Sequence, residues 1–168
     1  MATDDTGVLI RPLGAPGDLG WVVMKHGELY AKEFRWDADF EALVARIVAD
    51  YAQRHDPERE AAWIAEVDGA RAGCVLCTAA DETTAKLRVL LVDPVARGRG
   101  LGARLVDRCV DFARDHGYAR MTLWTNNVLV AARRIYRSRG FRLVEEESHH
   151  SFGHDLVGEY WMRELTHD

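Results

Sequence analysis

The sequence predicts a single α+β domain, in which a mixed, mostly antiparallel central sheet is flanked by helices. The chain has 168 residues, and one domain usually holds about 100–200. Segments with helical spacing of apolar residues and short β-rich runs follow in the order β, two helices, three strands, then α, β, α, β, β. No repeat or linker divides the chain, so we expect one domain over residues 8–168. Residues 1–7 precede the first predicted strand, and we expect them to form a flexible leader.

The first predicted elements are a short strand and a short helix. The strand covers Val8–Arg11 and is closed by Pro12. Asp18 is a candidate cap for a helix over Trp21–Lys25, which we expect to end at Gly27.

A clearer helix follows Asp37 and is ended by the segment His55-Asp-Pro57. Its apolar residues recur every three to four positions and form one amphipathic stripe. The stripe consists of Phe40, Leu43, Val44, Ile47, Val48 and Tyr51.

Three strands are predicted in the middle of the chain. Ala62–Val67 and Ala72–Thr78 are joined by Asp68-Gly69, which is a typical tight-hairpin pair. Ala85–Val92 forms the third strand and is ended by Asp93-Pro94.

The C-terminal part of the chain begins with its most strongly amphipathic helix, which is followed by a strand, a helix and two further strands. A polar segment between the last two strands is predicted to be a loop. The segments are a helix over Leu101–His116, a strand over Arg120–Thr125, a helix over Leu129–Ser138, a strand over Phe141–Glu145, the loop Glu146–Gly158 and a strand over Glu159–Glu164.

Composition excludes several classes of protein. The net charge is −5 and the pI is near 5.8, so we expect no general nucleic-acid binding. Three cysteines cannot all pair within one chain, which favours a reducing compartment. Cys74 and Cys77 lie in a predicted strand, where positions three apart point to opposite faces, so a metal or redox pair is not expected. The chain start has no signal-peptide pattern and no apolar run reaches 18 residues, so we expect a cytoplasmic protein without a membrane anchor.

The segment Leu90–Gly102 carries the strongest functional signal. A strand ends here, and a loop with three glycines and two arginines leads into the long helix. Glycines let backbone N–H groups approach a ligand closely, and the N-terminus of a helix favours a phosphate. The spacing Gly98-x-Gly100-x-x-Ala103 also fits a dinucleotide fingerprint, but the first glycine is displaced from the strand and the next strand ends without an acid. We therefore predict an anion cradle rather than a nicotinamide site.

The pattern Arg97-x-x-Gly100-x-Gly102 resembles the pyrophosphate loop Q/R-x-x-G-x-G/A of the GNAT superfamily of N-acetyltransferases. The order of predicted elements resembles that fold along the whole chain, and Ile135-Tyr136 followed by Gly140-Phe141 resembles a frequent ending of the family. Residues 124–155 also resemble acetyltransferase domains fused to winged-helix regulators of the MarR type.

The resemblance implies acetyl-coenzyme A as co-substrate and no metal. It implies that the backbone of Leu90, Leu91 and Val92 binds pantetheine, and that an asparagine after the next strand, Asn126 or Asn127, touches the coenzyme. It also implies that Tyr136 donates a proton to the departing thiolate; a core role for this ring is the alternative, because Ala132, Ile135 and Tyr136 have helical spacing. The implied pyrophosphate-binding residues are Arg97, Gly98, Arg99, Gly100, Leu101 and Gly102.

The general base is not identified by the resemblance, because the strand positions that often carry a glutamate here carry Lys86, Arg88, Arg120 and Thr122. His149, His150 and His154 lie in the predicted loop, where acceptors usually bind, and a neutral histidine titrates in the required range. A water that relays the proton to a distant carboxylate is the alternative.

The acceptor-binding residues are also left open. Acidic side chains that attract a cationic amine, or aromatic side chains that form a pocket wall, occur near the first two helices, and both kinds also fit ordinary surface and core positions. The acidic residues are Glu28, Glu33, Asp37, Glu41 and 145–147; the aromatic residues are Trp21, Tyr30, Phe34 and Trp36.

The predicted function is direct transfer of an acetyl group from acetyl-coenzyme A to an amine. The expected partner is a small-molecule amine or a protein amino group, with no nucleic acid and no membrane, and a homodimer is among the expected assemblies. An acyl-coenzyme A-binding interaction or regulatory module with little turnover is the alternative function.

Overall fold

The computed structural model describes residues 7–165, which form seven strands and four α-helices. The leader predicted for residues 1–7 therefore lies outside the described residues, apart from Gly7. The elements are β1 (Val8–Pro12), α1 (Asp18–Phe34), α2 (Ala38–Arg54), β2 (Ala61–Val67), β3 (Ala70–Ala79), β4 (Thr84–Val92), α3 (Leu101–Asp115), β5 (Arg120–Asn126), α4 (Val130–Ser138), β6 (Arg142–Ser151) and β7 (His154–Glu164). The predicted order and the α+β class are confirmed.

The strands form one sheet in the order β1-β2-β3-β4-β5-β7-β6. The pairing of β4 with β5 is parallel, and the other pairings among residues 7–165 are antiparallel. No helix of this part of the chain is long and apolar enough to cross a membrane.

Both faces of the sheet are covered by helices, and alternate side chains of the middle strands separate two cores. Cys74 packs with Val22 of α1 and Val44 of α2, whereas Cys77 packs with the apolar side of α3. The two cysteines therefore point to opposite faces of β3, as their spacing predicts.

The first helix is much longer than the sequence predicts, because Gly27 lies inside it rather than at its end. A Cβ atom at Gly27 would collide with the Glu41 side chain of α2. The glycine thus permits the close approach of α1 and α2, and it does not end the helix.

Asp18 is not the side-chain cap that the sequence suggests, because Gly17 occupies the N-cap position of α1. Its carboxylate instead accepts hydrogen bonds from Arg11 at 2.8 Å and from Arg71 at 2.9 Å, and from the backbone N–H groups of Gly14 and Ala15. These donors, Arg11 first, hold the pKa of Asp18 far below its usual range. The buried carboxylate thereby joins the start of α1 to β1 and β3.

The prediction of a loop over Glu146–Gly158 is wrong. The segment forms most of a long hairpin, in which β6 and β7 pair up to Ser151 and His154 around the two-residue turn Phe152-Gly153. The strand β6 lies at the sheet edge and exposes most of its side chains on both faces, so its sequence lacks the alternation that marks a half-buried strand.

Candidate active site

The candidate site lies where β4 and β5 separate. The two strands pair from Thr84 and Arg120 to Leu87 and Leu123, and the pairing ends there. Val89 then has a positive φ of 48°, and the register between β3 and β4 shifts at the same place. A β-branched residue in this conformation is strained. The resulting bulge turns the end of β4 away from β5 and opens the sheet.

One cavity, of about 380 Å³, lies at the end of β4, and we call it the loop cavity. Its walls include the predicted pantetheine residues Leu90, Leu91 and Val92, together with side chains of α1 and α4. The predicted loop residues Arg97, Gly98, Gly100, Leu101 and Gly102 also line it, whereas Arg99 does not.

The loop backbone is open toward this cavity at two glycines. Gly98 and Gly100 have φ values of 85° and 70°, which favour glycine, and a Cβ atom at either would meet no atom within 4 Å. Gly100 is the N-cap of α3, and the N–H groups of the first turn of a helix have no partner within the helix. The loop cavity therefore presents backbone donors and the positive end of a helix dipole to an anion.

Two loop residues also make contacts within the protein that the sequence does not predict. Arg97 forms an ion pair with Glu33 of α1 at 2.9 Å, so its charge is partly neutralised by the protein itself. A Cβ atom at Gly102 would lie 2.7 Å from the Cδ1 atom of Ile135 on α4, so a larger residue here would have to displace the end of that side chain. Only Gly98 and Gly100 among these glycines provide open space for a ligand.

A second cavity, of about 330 Å³, lies beside the first, and we call it the aromatic cavity. Tyr30, Leu90 and Leu129 line both cavities, so the two spaces share a wall at the opening of the sheet. Seven Phe, Tyr and Trp rings line the aromatic cavity, and one of them comes from the hairpin turn. They belong to Tyr30, Trp36, Phe40, Trp124, Tyr136, Phe152 and Tyr160.

His26 lines the aromatic cavity. The sequence does not identify it as a site residue. Its Nδ1 atom lies 2.7 Å from the carbonyl oxygen of Val22, which places the proton on Nδ1. Its Nε2 atom is buried and has no hydrogen-bond partner among residues 7–165. Burial lowers the pKa of His26 to about 4, so the ring is neutral near pH 7 and offers a lone pair at Nε2.

Two half-buried cations, Lys86 and Arg88, also line the aromatic cavity. Neither forms an ion pair within 4.0 Å in the part of the chain that the structure describes. The pKa of Lys86 is lowered by burial and, to a smaller extent, by the charge of Arg88. The pKa of Arg88 is also lowered by burial, and the negative charge of Asp50 on α2 opposes this effect.

The acidic residues suggested for an acceptor pocket do not line the aromatic cavity. Glu33 lies on the loop cavity instead, and Glu41 packs near Gly27. Of the suggested aromatic residues, Tyr30 and Trp36 line the aromatic cavity and Phe34 lines the loop cavity, whereas Trp21 lines neither. A cavity built to attract a cationic amine through carboxylates is therefore not supported.

Tyr136 lies on α4 and is 5% exposed, with its ring against Phe141 and Trp161. It belongs to the core, and it also lines the aromatic cavity. Burial raises the pKa of its phenol above the ordinary value, so the group stays protonated.

The two candidate asparagines have different surroundings. Asn126 is buried, lines the aromatic cavity and accepts at Oδ1 from His149, with 2.8 Å between the atoms. Asn127 instead accepts from the backbone N–H of Val157 at 3.3 Å and lines neither cavity. The structure thus brings Asn126, rather than Asn127, to the opening.

The three histidines of the predicted loop lie on strands, and none lines either cavity. His149 holds Asn126, His150 lies 2.9 Å from Asp155 at the surface, and His154 lies 2.9 Å from the carbonyl oxygen of Arg35. Their contacts fix the hairpin beside the aromatic cavity. Residues 7–165 contain no group of three His, Cys, Asp or Glu side chains suited to hold a metal ion.

The sheet opens beside a helix N-terminus, and two adjoining cavities lie there, so the arrangement suits an enzyme that holds an anionic carrier beside a second ligand. The comparison with known families is specific. Residues 25–141 match the acetyltransferase (GNAT) family, and the chain belongs to this family.

Relatives of this chain include acetyltransferases with different acceptors. This chain is 35% identical over 105 residues to the N-acetylaspartate synthetase of Rattus norvegicus. The match covers 61% of this chain and 35% of that protein. The chain is also 39% identical over 77 residues to the mycothiol acetyltransferase of Beutenbergia cavernae. That match covers 46% of this chain and 26% of that protein. The chain thus spans about a third or less of the length of these relatives.

Solved structures agree on the fold. A Salmonella typhimurium protein solved with acetyl-CoA has a TM-score of 0.78 at 20% identity, with 96% of each chain covered. A GNAT family acetyltransferase of Elizabethkingia anophelis, solved with acetyl-CoA bound, has a TM-score of 0.69 at 15% identity, with 96% of this chain and 100% of that chain covered.

Proposed function

We propose that this chain is an N-acetyltransferase that transfers an acetyl group directly from acetyl-coenzyme A to an amine. One observation carries the proposal: an anion-binding loop cavity and an aromatic cavity share Tyr30, Leu90 and Leu129 at the opening between β4 and β5. An acyl donor in one cavity and an amine in the other would meet there, as direct transfer requires.

The residues of the loop cavity suit a coenzyme with a pyrophosphate. The backbone around Gly98 and Gly100 and the first turn of α3 would hold the phosphates, while Leu90–Val92 would bind the pantetheine arm. The coenzyme supplies an acetyl thioester, and the bulge at Val89 positions the strand end beside which the thioester would lie.

Two residues of the aromatic cavity suit the proton transfers. The lone pair at His26 Nε2 would accept a hydrogen bond from the amine, which must be neutral to attack. Its low pKa makes His26 a positioning group, so solvent carries the proton away. The protonated phenol of Tyr136 would donate to the departing sulfur.

The proposed partner is a small-molecule amine or a protein amino group, in the cytoplasm, without nucleic acid. The names of two relatives, N-acetylaspartate synthetase and mycothiol acetyltransferase, support acetylation of an amine. The resemblance to domains fused to MarR-type regulators and the homodimer remain part of this proposal.

The test measures thiol release from acetyl-coenzyme A by the purified chain over a panel of amines, with acetylated products identified by mass spectrometry. We expect at least one amine to release thiol above the rate in buffer. Binding of acetyl-coenzyme A without thiol release from any amine would instead support the alternative of an acyl-coenzyme A-binding module.

A further inference from the structure

Two cationic side chains, Lys86 and Arg88, line the aromatic cavity, and neither forms an ion pair within 4.0 Å with another of the residues 7–165. Lys86 and Arg88 alternate along β4 with Ala85 and Leu87, which belong to the core on the α3 side. Side chains two apart on a strand share a face, so both cations point to the other side, toward α1 and α2. Both line the aromatic cavity and both are half-buried.

The charges that surround these two cations do not neutralise them. No carboxylate lines the aromatic cavity, and Asp50 acts on Arg88 without an ion pair within 4.0 Å among residues 7–165. A half-buried cation without a partner loses hydration and gains no ion pair in return. Such an arrangement is stabilised when a ligand supplies the anion.

We propose that the acceptor is an amine that also carries a carboxylate, the chemistry of a free amino acid, and that Lys86 and Arg88 bind this carboxylate. This inference rests on the proposed function for the role of the amine. Arginine offers a planar pair of donors that matches a carboxylate, and lysine adds a second charge.

The geometry agrees with a small acceptor. Arg88 follows Leu87, the last residue of β4 that pairs with β5, and Leu90 lines both cavities two residues further on. Two residues of regular strand cover about 7 Å, and the bulge at Val89 makes this separation shorter, so one small molecule can reach from the cation to the shared wall.

The experiment compares L-aspartate, L-leucine and L-phenylalanine, each beside its α-carboxamide, as acceptors for the wild-type chain. We expect kcat/KM for at least one free amino acid to exceed that of its carboxamide by about tenfold or more, as for loss of a charge-assisted contact. In Arg88→Gln and in Lys86→Gln this preference should fall toward one, through a higher acceptor KM, while the KM for acetyl-coenzyme A is unchanged. Lys32→Gln, which removes an exposed cation of α1 outside both cavities, is the matched control and should keep the preference.

Calorimetry with the same six compounds separates this inference from the proposed function. Turnover that is equal for acids and amides, or a preference that survives both substitutions, would overturn the inference and leave the transferase intact. If no amine releases thiol, the proposed function fails. In that case, tighter binding of the free amino acids that is lost in Arg88→Gln still supports the carboxylate site, whereas equal or absent binding overturns it.

Discussion

Tyr136 is buried at the wall of the aromatic cavity and stays protonated, because burial raises its pKa. A phenol in this state can donate to a departing thiolate, and general acid catalysis contributes about 10²–10⁴-fold. A thiolate leaves readily by itself, so we expect kcat of Tyr136→Phe to fall by about tenfold to a hundredfold, at or below the low end of that range. Coenzyme affinity should not change, and steady-state kinetics with the best amine checks both.

The pH profile adds a second criterion for Tyr136. Because its pKa lies above the usual range, its deprotonation should contribute no alkaline limb to the rate profile. If the residue serves only the core, Phe will leave kcat unchanged, and Tyr136→Ala will lower stability through a cavity beside Phe141 and Trp161.

His26, at the wall of the aromatic cavity, affects the stability of the fold in acid. Burial lowers its pKa to about 4 in the folded chain, from an ordinary value of 6.5. The unfolded state therefore binds more protons between these two values, so the free energy of unfolding decreases as the pH falls through this window. The glutamine of His26→Gln does not titrate. Between pH 7 and pH 4.5, we therefore expect the free energy of unfolding of this variant to decrease by about 2 kcal/mol less than that of the wild type. Urea unfolding at both pH values measures this.

One outcome of this comparison would contradict the assignment to His26. Equal acid sensitivity of His26→Gln and the wild type would show that other groups, such as Asp18, account for the whole effect.

Sequence reasoning identified the loop cavity better than the aromatic cavity, for a physical reason. The loop residues are contiguous, and glycines at positive φ leave a local pattern that can be recognised. The aromatic cavity is assembled from α1, α2, β4, β5, α4 and the hairpin. His26 and Phe40 fall on helical stripes that look the same whether they face a core or a cavity. Only the folded arrangement distinguishes these two cases.

The β6–β7 hairpin closes the aromatic cavity. Phe152 has a positive φ of 58° in its turn, an unusual conformation for this residue. Its ring is held 4.9 Å from Trp36 and 5.1 Å from Phe40 between ring centres, and its carbonyl oxygen accepts from the N–H of Asp37. Aromatic packing against the junction of α1 and α2 thus holds the turn in place.

Phe152→Asn tests this function of the hairpin. Asparagine adopts positive φ more readily than phenylalanine, so the turn should be retained while the ring is lost. We expect the acceptor KM to rise about tenfold, because an aromatic wall worth roughly 1–2 kcal/mol is removed. The Kd for the coenzyme, measured by calorimetry, should not change. His150→Ala on the exposed edge is the control, and a matching effect there would refute a specific role of the ring.

The hairpin was also the element that the sequence described least well. Its outer strand carries Glu145–Glu147 and His149-His150 at the sheet edge, and most of these side chains are exposed. Charge on an edge strand prevents pairing with other chains. The polar composition that protects the edge also removes the apolar alternation, and a loop was therefore predicted.

The topology of the sheet differs from that of a dinucleotide-binding fold. A dinucleotide fold needs a parallel sheet and an acid at the end of the strand after the glycine loop. Here one pair, β4 with β5, is parallel among the described strands, and β5 ends in Thr125 and Asn126. The loop is also separated from β4 by the single helical turn Pro94–Ala96. We therefore expect acetyl-coenzyme A to bind and NAD or NADP not to bind.

Thermal unfolding tests this expectation on the whole chain. A ligand at 100 times its Kd stabilises the folded state by about 2.7 kcal/mol, which for a chain of this size raises Tm by roughly 5–10 °C. Acetyl-coenzyme A should produce such a rise and either dinucleotide none. Gly100→Val should abolish the rise, because Val cannot readily adopt a φ of 70° and the loop backbone must move. Gly69→Val places the same strain at a φ of 84° in the β2–β3 turn, so it should lower the baseline Tm but keep the rise. A larger rise with a dinucleotide than with acetyl-coenzyme A would contradict the assignment of the loop cavity.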